Sequence, residues 1–280
     1  MATAHEQASQ IIADADALLI TAGAGMGVDS GLPDFRGNEG FWKAYPPMKK
    51  LGVAFSEMAN PRWFSSDPAF AWGFYGHRLA LYRATEPHDG FRLLFEWARQ
   101  KRLGSFVFTS NVDGAFQRAG FDDDAIVECH GAIDWLQCTD SCGVVIYSAS
   151  AYLPDVDSDT FRAREPLPKC PRCGALSRPN VLMFGDFGWD PRRTEAQEER
   201  FDAWLARLRG DRARLAIVEC GAGTAIPTVR SLGDRLSRAE GSSLVRINLR
   251  EPEAPRGQLG IAEGALPALS AISAAMSSRP

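Results

Sequence analysis

Three observations predict an α/β chain with a doubly wound, Rossmann-like parallel sheet and a smaller inserted zinc-ribbon and helical module. Short apolar runs alternate with helix-period segments along most of the chain, the pattern of parallel strands joined by crossover helices. One run, Ala17-Leu-Leu-Ile-Thr21, opens directly onto Gly23-Ala-Gly-Met-Gly27, a strand breaking into a phosphate-sized turn. Two stretches leave the alternation, one dense in aromatic residues and one carrying four cysteines, and they read as the insertion.

In chain order, a first helix is expected from about His5 to Ala15, followed by the strand at Ala17–Thr21. Glycines at 23, 25 and 27 let backbone N–H groups approach a pyrophosphate; the alternative is only a tight strand-to-helix connection. Gly31-Leu-Pro-Asp-Phe-Arg-Gly37 cannot continue as a long helix because Pro33 and its flanking glycines break it. A loop carrying Asp34, Phe35 and Arg36 is therefore expected over whatever the glycines bind. Residues 38–87 are aromatic-rich with short helical pieces, which suggests a helical module covering an apolar cleft. Gly90–Lys101 has Phe91, Leu94, Phe95 and Ala98 at helical spacing, and Phe106–Thr109 and Ala125–Cys129 read as the next core strands. Residues 135–179 replace the alternation with cysteines, prolines and short polar runs. It resumes with Asn180–Phe184 as a strand, Thr194–Arg209 as a helix, Leu215–Glu219 as a strand and Ile226–Arg238 as a helix. Ser243–Asn248 is the last expected strand and Gly264–Met276 the closing helix. The expected division is a dinucleotide-binding domain from residues 1–37, 88–134 and 180–280, with 38–87 and 135–179 forming the small domain.

Length and composition narrow the function. A chain of 280 residues suits one large domain with an insertion, and a net charge of -4 argues against nucleic acid as the main partner. The N-terminal stretch has no basic start followed by an apolar core, and no apolar run approaches the roughly 18 residues of a membrane span. The expected setting is the cytoplasm, without a membrane partner, and as a monomer. Six cysteines in that compartment read as thiols or metal ligands.

Several motifs carry chemistry. Thr109-Ser-Asn-Val-Asp-Gly114 follows a core strand at the sheet's carboxyl end, where the amide of Asn111 and carboxylate of Asp113 can hold a ribose through its hydroxyls; the bland alternative is a common turn. Glu128-Cys-His-Gly131 ends the next strand, and His130 has the setting and the near-neutral pKa of a general base. Cys138-x3-Cys142 and Cys170-x2-Cys173 form two knuckles able to give four thiolates to one structural zinc. Cys129 and Cys220 fall in strands and read as small core residues.

With these motifs in this order, the chain resembles the sirtuin family, NAD-dependent protein-lysine deacylases. The family hallmark Gly-Ala-Gly-Ile-Ser-x-x-Ser-Gly-Ile-Pro-Asp-Phe-Arg-Gly differs at Met26, Gly27 and Leu32. The family's Thr-Gln-Asn-Ile-Asp appears with Ser110 in place of Gln, and its His-Gly motif at His130. Arg178-Pro-Asn-Val-Leu-Met-Phe-Gly-Asp186 resembles Arg-Pro-x-Val-Val-x-Phe-Gly-Glu, whose loop pairs with an extended substrate peptide, which implicates Phe184 and Gly185. Cys220-Gly-Ala-Gly-Thr224 stands where the family has Gly-Thr-Ser, so Gly221 matches while Ala222 and Gly223 lack the hydroxyls. Ile247-Asn248 matches an Ile-Asn pair. The resemblance implies NAD as cofactor, held by Gly23, Ala24, Gly25, Asp34, Phe35, Arg36, Ser110, Asn111, Asp113, Gly221, Ala222, Gly223 and Asn248. It implies an acyl-lysine protein or peptide as substrate and His130, Asn111 and Asp113 as catalytic residues. The implied products are nicotinamide, O-acyl-ADP-ribose and free lysine.

Tyr75-Gly-His-Arg78 places a phenol and a guanidinium on one helix face, and a guanidinium can grip a carboxylate through two parallel hydrogen bonds. Class III sirtuins carry Tyr-x-x-Arg at this place, before a turn like Glu86-Pro-His-Asp-Gly90, and remove succinyl, malonyl and glutaryl groups. The structural alternative is a solvated Arg beside a core aromatic. Ser110 and Gly223 also leave room for an ADP-ribosyltransferase or NAD hydrolase using the same site. A reading of another class is a non-catalytic NAD-sensing module.

Overall fold

The computed structural model describes residues 2–33, 37–50, 52–157 and 159–278. Its elements run α1 (Ala4–Asp14), β1 (Ala17–Ala22), α2 (Gly37–Ala44), α3 (Pro46–Lys50), α4 (Phe55–Met58), α5 (Trp63–Ser66), α6 (Pro68–Ala84), α7 (Asp89–Arg99), β2 (Ser105–Thr109), α8 (Ala115–Arg118), β3 (Ile126–Glu128) and β4 (Gly131–Cys138). They continue with β5 (Tyr147–Ser148), β6 (Val156–Asp157), β7 (Arg162–Ala163), β8 (Ser177–Val181), α9 (Arg192–Gly210), β9 (Leu215–Cys220), α10 (Thr228–Leu236), β10 (Ser242–Ile247), β11 (Leu259–Ile261) and α11 (Ala265–Ser277).

Six parallel strands form the main sheet in the order β11-β10-β9-β1-β2-β3. The order reverses between β1 and β9, and a doubly wound sheet opens its ligand crevice at such a switch point. The core strands are apolar on both faces because helices cover both. Leu18, Ile20 and Ala22 of β1 join Val107, Val218 and Val245 in a cluster with Ile12 of α1, Leu94 and Trp97 of α7 and Leu269 and Ile272 of α11. The alternate residues Ala17 and Leu19 turn the other way with Phe106, Phe108, Ile217 and Leu244, onto Phe201, Trp204 and Leu205 of α9 and Leu232 of α10. Thr3 and Glu6 form a reciprocal capping box that starts α1.

The aromatic segment packs as a third cluster in which Phe41, Tyr45, Phe64, Trp72, Phe74 and Tyr75 are buried with Ile133, Leu136, Ala149, Phe161 and Val181. The two sequence insertions therefore share one apolar interior. Trp72 ties them, because its Nε1 donates to the Ser177 carbonyl at 2.9 Å. Asp67 caps α6 by accepting from the Phe70 amide, with Pro68 at the first helical position.

Two expectations are corrected. The strand expected at Asn180–Phe184 is β8, which ends at Val181 and pairs antiparallel with β4 in a separate three-stranded sheet, outside the parallel one. β4 begins at Gly131, ahead of the expected insertion, and an irregularity between Ala132 and Leu136 breaks its alternation. β11, which extends the parallel sheet beyond β10, has too short a run to stand out in sequence. No helix among the described residues is long and apolar enough to cross a membrane.

Candidate active site

At the switch point the chain leaves β1 through Gly23 and leaves β9 through Gly221, and the two turns cross. The Gly23 amide donates to the Cys220 carbonyl and the Gly25 amide to the Gly221 carbonyl, each at 3.0 Å. A Cβ on Gly221, whose φ is +64°, would lie 2.4 Å from the Gly25 carbonyl carbon. One on Gly23 would lie 2.8 Å from Ala222 Cα. The glycines are thus required by this crossing itself. The Met26 and Gly27 amides are also satisfied within the turn, by the Gly23 and Ala24 carbonyls. The amides of Gly23 and Gly25 are thus committed to the crossing, while Gly23, Ala24, Ala222 and Gly223 line the cavity. Two short 3-10 turns, Ala24–Met26 and Val28–Ser30, follow where an ordinary dinucleotide fold has a helix. Asp34, Phe35 and Arg36 lie outside the described residues.

The cavity in front of the crossing encloses about 860 Å³, a size suited to a bound small molecule. Its lining brings together Gly23, Ala24, Ser110, Asn111, Asp113, His130, Ala222 and Gly223 from the main sheet with Tyr75, Arg78 and Phe184 from beyond it. Gly25, Gly221, Asn248 and Gly185 are not on its wall. Asn248, 2% exposed, donates from Nδ2 to the Ala222 carbonyl at 2.7 Å and accepts from the amides of Arg250 and Glu251. It acts as a brace between two lining loops. Thr224, Arg250 and Glu251 reach the wall although no motif in the sequence marks them, and Glu251 accepts from the Thr224 amide and hydroxyl.

The polar groups are held by short local bonds. Asn111 Nδ2 donates to the Gly23 carbonyl at 3.0 Å, and its amide donates to Thr109 Oγ1. Asp113 accepts from the Ala115 amide through Oδ1. Burial raises the Asp113 pKa, opposed by that bond and by the Arg118 and Arg78 charges. His130 follows β3, and Gly131 after it has φ +72° with a hypothetical Cβ only 2.0 Å from the Asn180 carbonyl. Only glycine fits there. Burial lowers the His130 pKa, with the Ser110 backbone carbonyl pulling the other way as its hydrogen-bond acceptor.

On α6, Tyr75 and Arg78 are both buried, which removes the solvated-Arg alternative. Tyr75 Oη is a buried group without a hydrogen-bond partner among the described residues. Phe184 also lines the cavity, and its amide and carbonyl are already bonded to Ala59 and Asn60. Any strand added at this loop must therefore use backbone beyond Phe184. Asp186 receives both Nη atoms of Arg178, at 2.6 and 2.8 Å, and the Gly188 amide at 3.1 Å, so it braces the loop.

Cys138, Cys142, Cys170 and Cys173 converge with all four Sγ atoms within 4.8 Å of one another, and the pairs 138/173 and 142/170 are 3.6 Å apart. Zinc–sulfur bonds of about 2.3 Å in a tetrahedron set edges of about 3.8 Å, so the cluster fits one zinc with no open position. Disulfides, at about 2.05 Å, are excluded. Cys129 and Cys220 are buried in the sheet region, as expected.

The Sir2 family profile matches residues 23–200. A protein of Thermococcus sibiricus named NAD-dependent protein deacylase is 30% identical over 88% of this chain and 86% of its own. One of the same name from Pyrococcus furiosus is 33% identical over 64% of this chain and 65% of its own, so the chain spans a little under two thirds of that relative. Among solved structures, a Sir2 homologue mutant bound to 2'-O-acetyl ADP ribose superposes with a TM-score of 0.65 at 26% identity, covering 98% of each chain. The matched length, the sheet order and the cysteine cluster agree: the chain belongs to the Sir2 family.

Proposed function

We propose that this protein removes acyl groups from protein lysine in an NAD-dependent reaction, with a preference for acidic acyl groups such as succinyl or malonyl. The observation that carries the reading is the convergence of Asn111, Asp113 and His130 with two glycine turns and the Tyr75–Arg78 pair on one cavity. The residues present suit a dinucleotide: backbone at Ala24, Ala222 and Gly223 for its phosphates, and amide and carboxylate groups for its riboses. NAD, when bound, would supply the ribose carbon that gives up nicotinamide and the neighbouring ribose hydroxyl that takes the acyl group.

The protein's own part is to orient and to move a proton. His130, neutral near pH 7 because of its burial, has one ring N–H directed to the Ser110 carbonyl, leaving the other nitrogen with the lone pair a general base needs. That carbonyl is backbone, so Ser110 replaces the family's Gln without disturbing it. Asn111 and Asp113 fix the ribose hydroxyls beside His130, while the apolar walls at Val112, Val181 and Phe184 exclude water from the acyl-lysine channel. An NAD hydrolase would use the same ribose contacts with water in place of acyl-lysine, and the apolar channel favours the deacylase.

The acidic-acyl reading is supported by a buried guanidinium on the cavity lining and, beside it, a phenol hydroxyl lacking a partner among the described residues. An acetyl group has no carboxylate acceptor to offer the Tyr75 hydroxyl. The small domain, residues 38–87 with 135–179, is taken to shape this channel, and six thiols suit the cytoplasm. The test is turnover of matched acetyl-lysine and succinyl-lysine peptides with NAD. Faster succinyl removal that collapses in Arg78→Met is expected, whereas an acetyl preference retained in Arg78→Met would return the pair to a structural role.

A further inference from the structure

Arg230, on α10, stands behind the cavity wall, 9% exposed and absent from the lining itself. Its Nη1 donates to the Glu251 carbonyl at 2.9 Å and reaches the Ala222 carbonyl at 3.5 Å, while Nη2 donates to the Glu253 carbonyl at 2.8 Å. One guanidinium thus ties the loop after β9 to the loop after β10, and Ala222 and Glu251 are both on the wall. All three partners are backbone carbonyls. Glu219 of β9 and Asp234 of α10 are taken by Arg246, and no carboxylate among the described residues pairs with Arg230.

The Ala222 carbonyl also accepts from Asn248 Nδ2 at 2.7 Å. Neither Asn248 nor Arg230 is on the wall, so this carbonyl is turned inward, away from the cavity. The Ala222–Gly223 peptide is trans, and across a planar trans peptide the C=O and the following N–H point in opposite directions. The Gly223 amide therefore faces the cavity that Gly223 lines. It donates to no acceptor among the described residues, whereas the next amide, that of Thr224, is committed to Glu251. Ala222 and Gly223 bring no hydroxyl to this turn, which leaves that amide and the charge behind it as its polar equipment. We propose that Arg230 is a positioning residue for the phosphates of the dinucleotide: it holds both loops from behind so that the Gly223 amide is aimed into the cavity, and it sets a positive charge behind that amide. This deepens the NAD reading and rests on it. A buried cation bonded only to carbonyls leaves positive potential at the wall, which favours an anion there.

The experiment is calorimetric titration of ADP-ribose into wild type, Arg230→Met and Arg230→Lys, with steady-state kinetics of each on NAD and an acyl-lysine peptide. Calorimetry reports affinity and active fraction separately, so protein lost to misfolding lowers the stoichiometry and not the affinity. Expected in Arg230→Met is a Kd raised roughly tenfold, the loss of one charge-assisted contact. Arg230→Lys is expected between Arg230→Met and wild type, because it keeps the charge but cannot bridge the carbonyls. In turnover the loss falls on NAD KM rather than on kcat or peptide KM, as when binding shared by ground and transition states is removed. Arg230→Met with the wild-type Kd, or with kcat and both KM values shifted together, overturns the proposal while leaving the NAD reading in place. Should Arg230→Met fail to fold, Arg230→Lys decides: a weakened Kd at full stoichiometry supports the proposal and an unchanged Kd overturns it. Failure of both variants to fold returns Arg230 to a purely structural role and overturns it too. A wild type that does not bind ADP-ribose overturns the NAD reading itself.

Discussion

Burial lowers the His130 pKa, opposed by the Ser110 backbone, which suits the general-base role proposed for it. Burial favours the neutral ring, so the base form persists below the ordinary His value of about 6.5. Turnover is therefore expected to stay level as pH falls from 8 to about 6.5 and to decline only below it; a decline centred well above that value would contradict the assignment. His130→Ala is expected to lower acyl transfer by about 10² to 10⁴ while NAD still binds, as measured by product mass spectrometry and calorimetry. Retained turnover would remove His130 from the base role. Asp186 makes a different prediction, since its carboxylate is fully buried against Arg178. Asp186→Ala leaves that cation unpaired and is expected to cost about 3–5 kcal/mol in a denaturant titration, with peptide KM raised more than NAD KM.

At the scale of elements, α7 is coupled to the glycine turn through His88. Its Nδ1 accepts the Gly90 amide at the helix start, and its Nε2 lies 2.9 Å from the Met26 carbonyl, so the ring is held neutral with the proton on Nε2. Burial lowers its pKa, with the Met26 carbonyl and nearby acids opposing. The unfolded ring then binds protons that the folded ring refuses, so stability is full above about pH 6.5 and is lost as pH falls through the lowered folded value. His88→Asn, which can still cap the helix, is expected to show a weaker loss of denaturant midpoint between pH 6.5 and 5 than the wild type. An unchanged pH slope would place the loss at another group. Elements of regular period were legible in the sequence: β1, β2, β9 and β10 alternate strictly between two helix-covered faces, and α7 and α9 bury one stripe. β4 and β8 were not, because an irregular antiparallel pair follows neither period. Tyr75 and Arg78 were visible as a spacing, but the bonds from Arg78 to Tyr82 depend on rotamers, which sequence does not display. Glu251 and Thr224 escaped notice because loops beyond strand ends carry no periodic signal.

Across the whole molecule, one cavity is closed by parts distant in sequence: two turns of the main sheet, helix α6, and the loop after β8. Cys138 of the cysteine cluster ends β4, which pairs with β5 and β8, and the Ser177 carbonyl of β8 holds Trp72 of the helical module. One zinc per chain is expected by elemental analysis, and none in Cys170→Ser. Chelation is expected to lower the melting temperature and abolish peptide turnover together, because the loop carrying Phe184 hangs from β8. Zinc-free protein with full turnover would separate the cluster from the site.

The proposed coupling of nicotinamide release to acyl transfer from lysine is read from the stoichiometry of a single reaction. Nicotinamide, deacylated peptide and O-acyl-ADP-ribose, quantified together from NAD and a succinyl-lysine peptide, are expected in equal amounts, with no nicotinamide released when the peptide is omitted. Nicotinamide and ADP-ribose accumulating without peptide, at the same rate as with it, would contradict the claim.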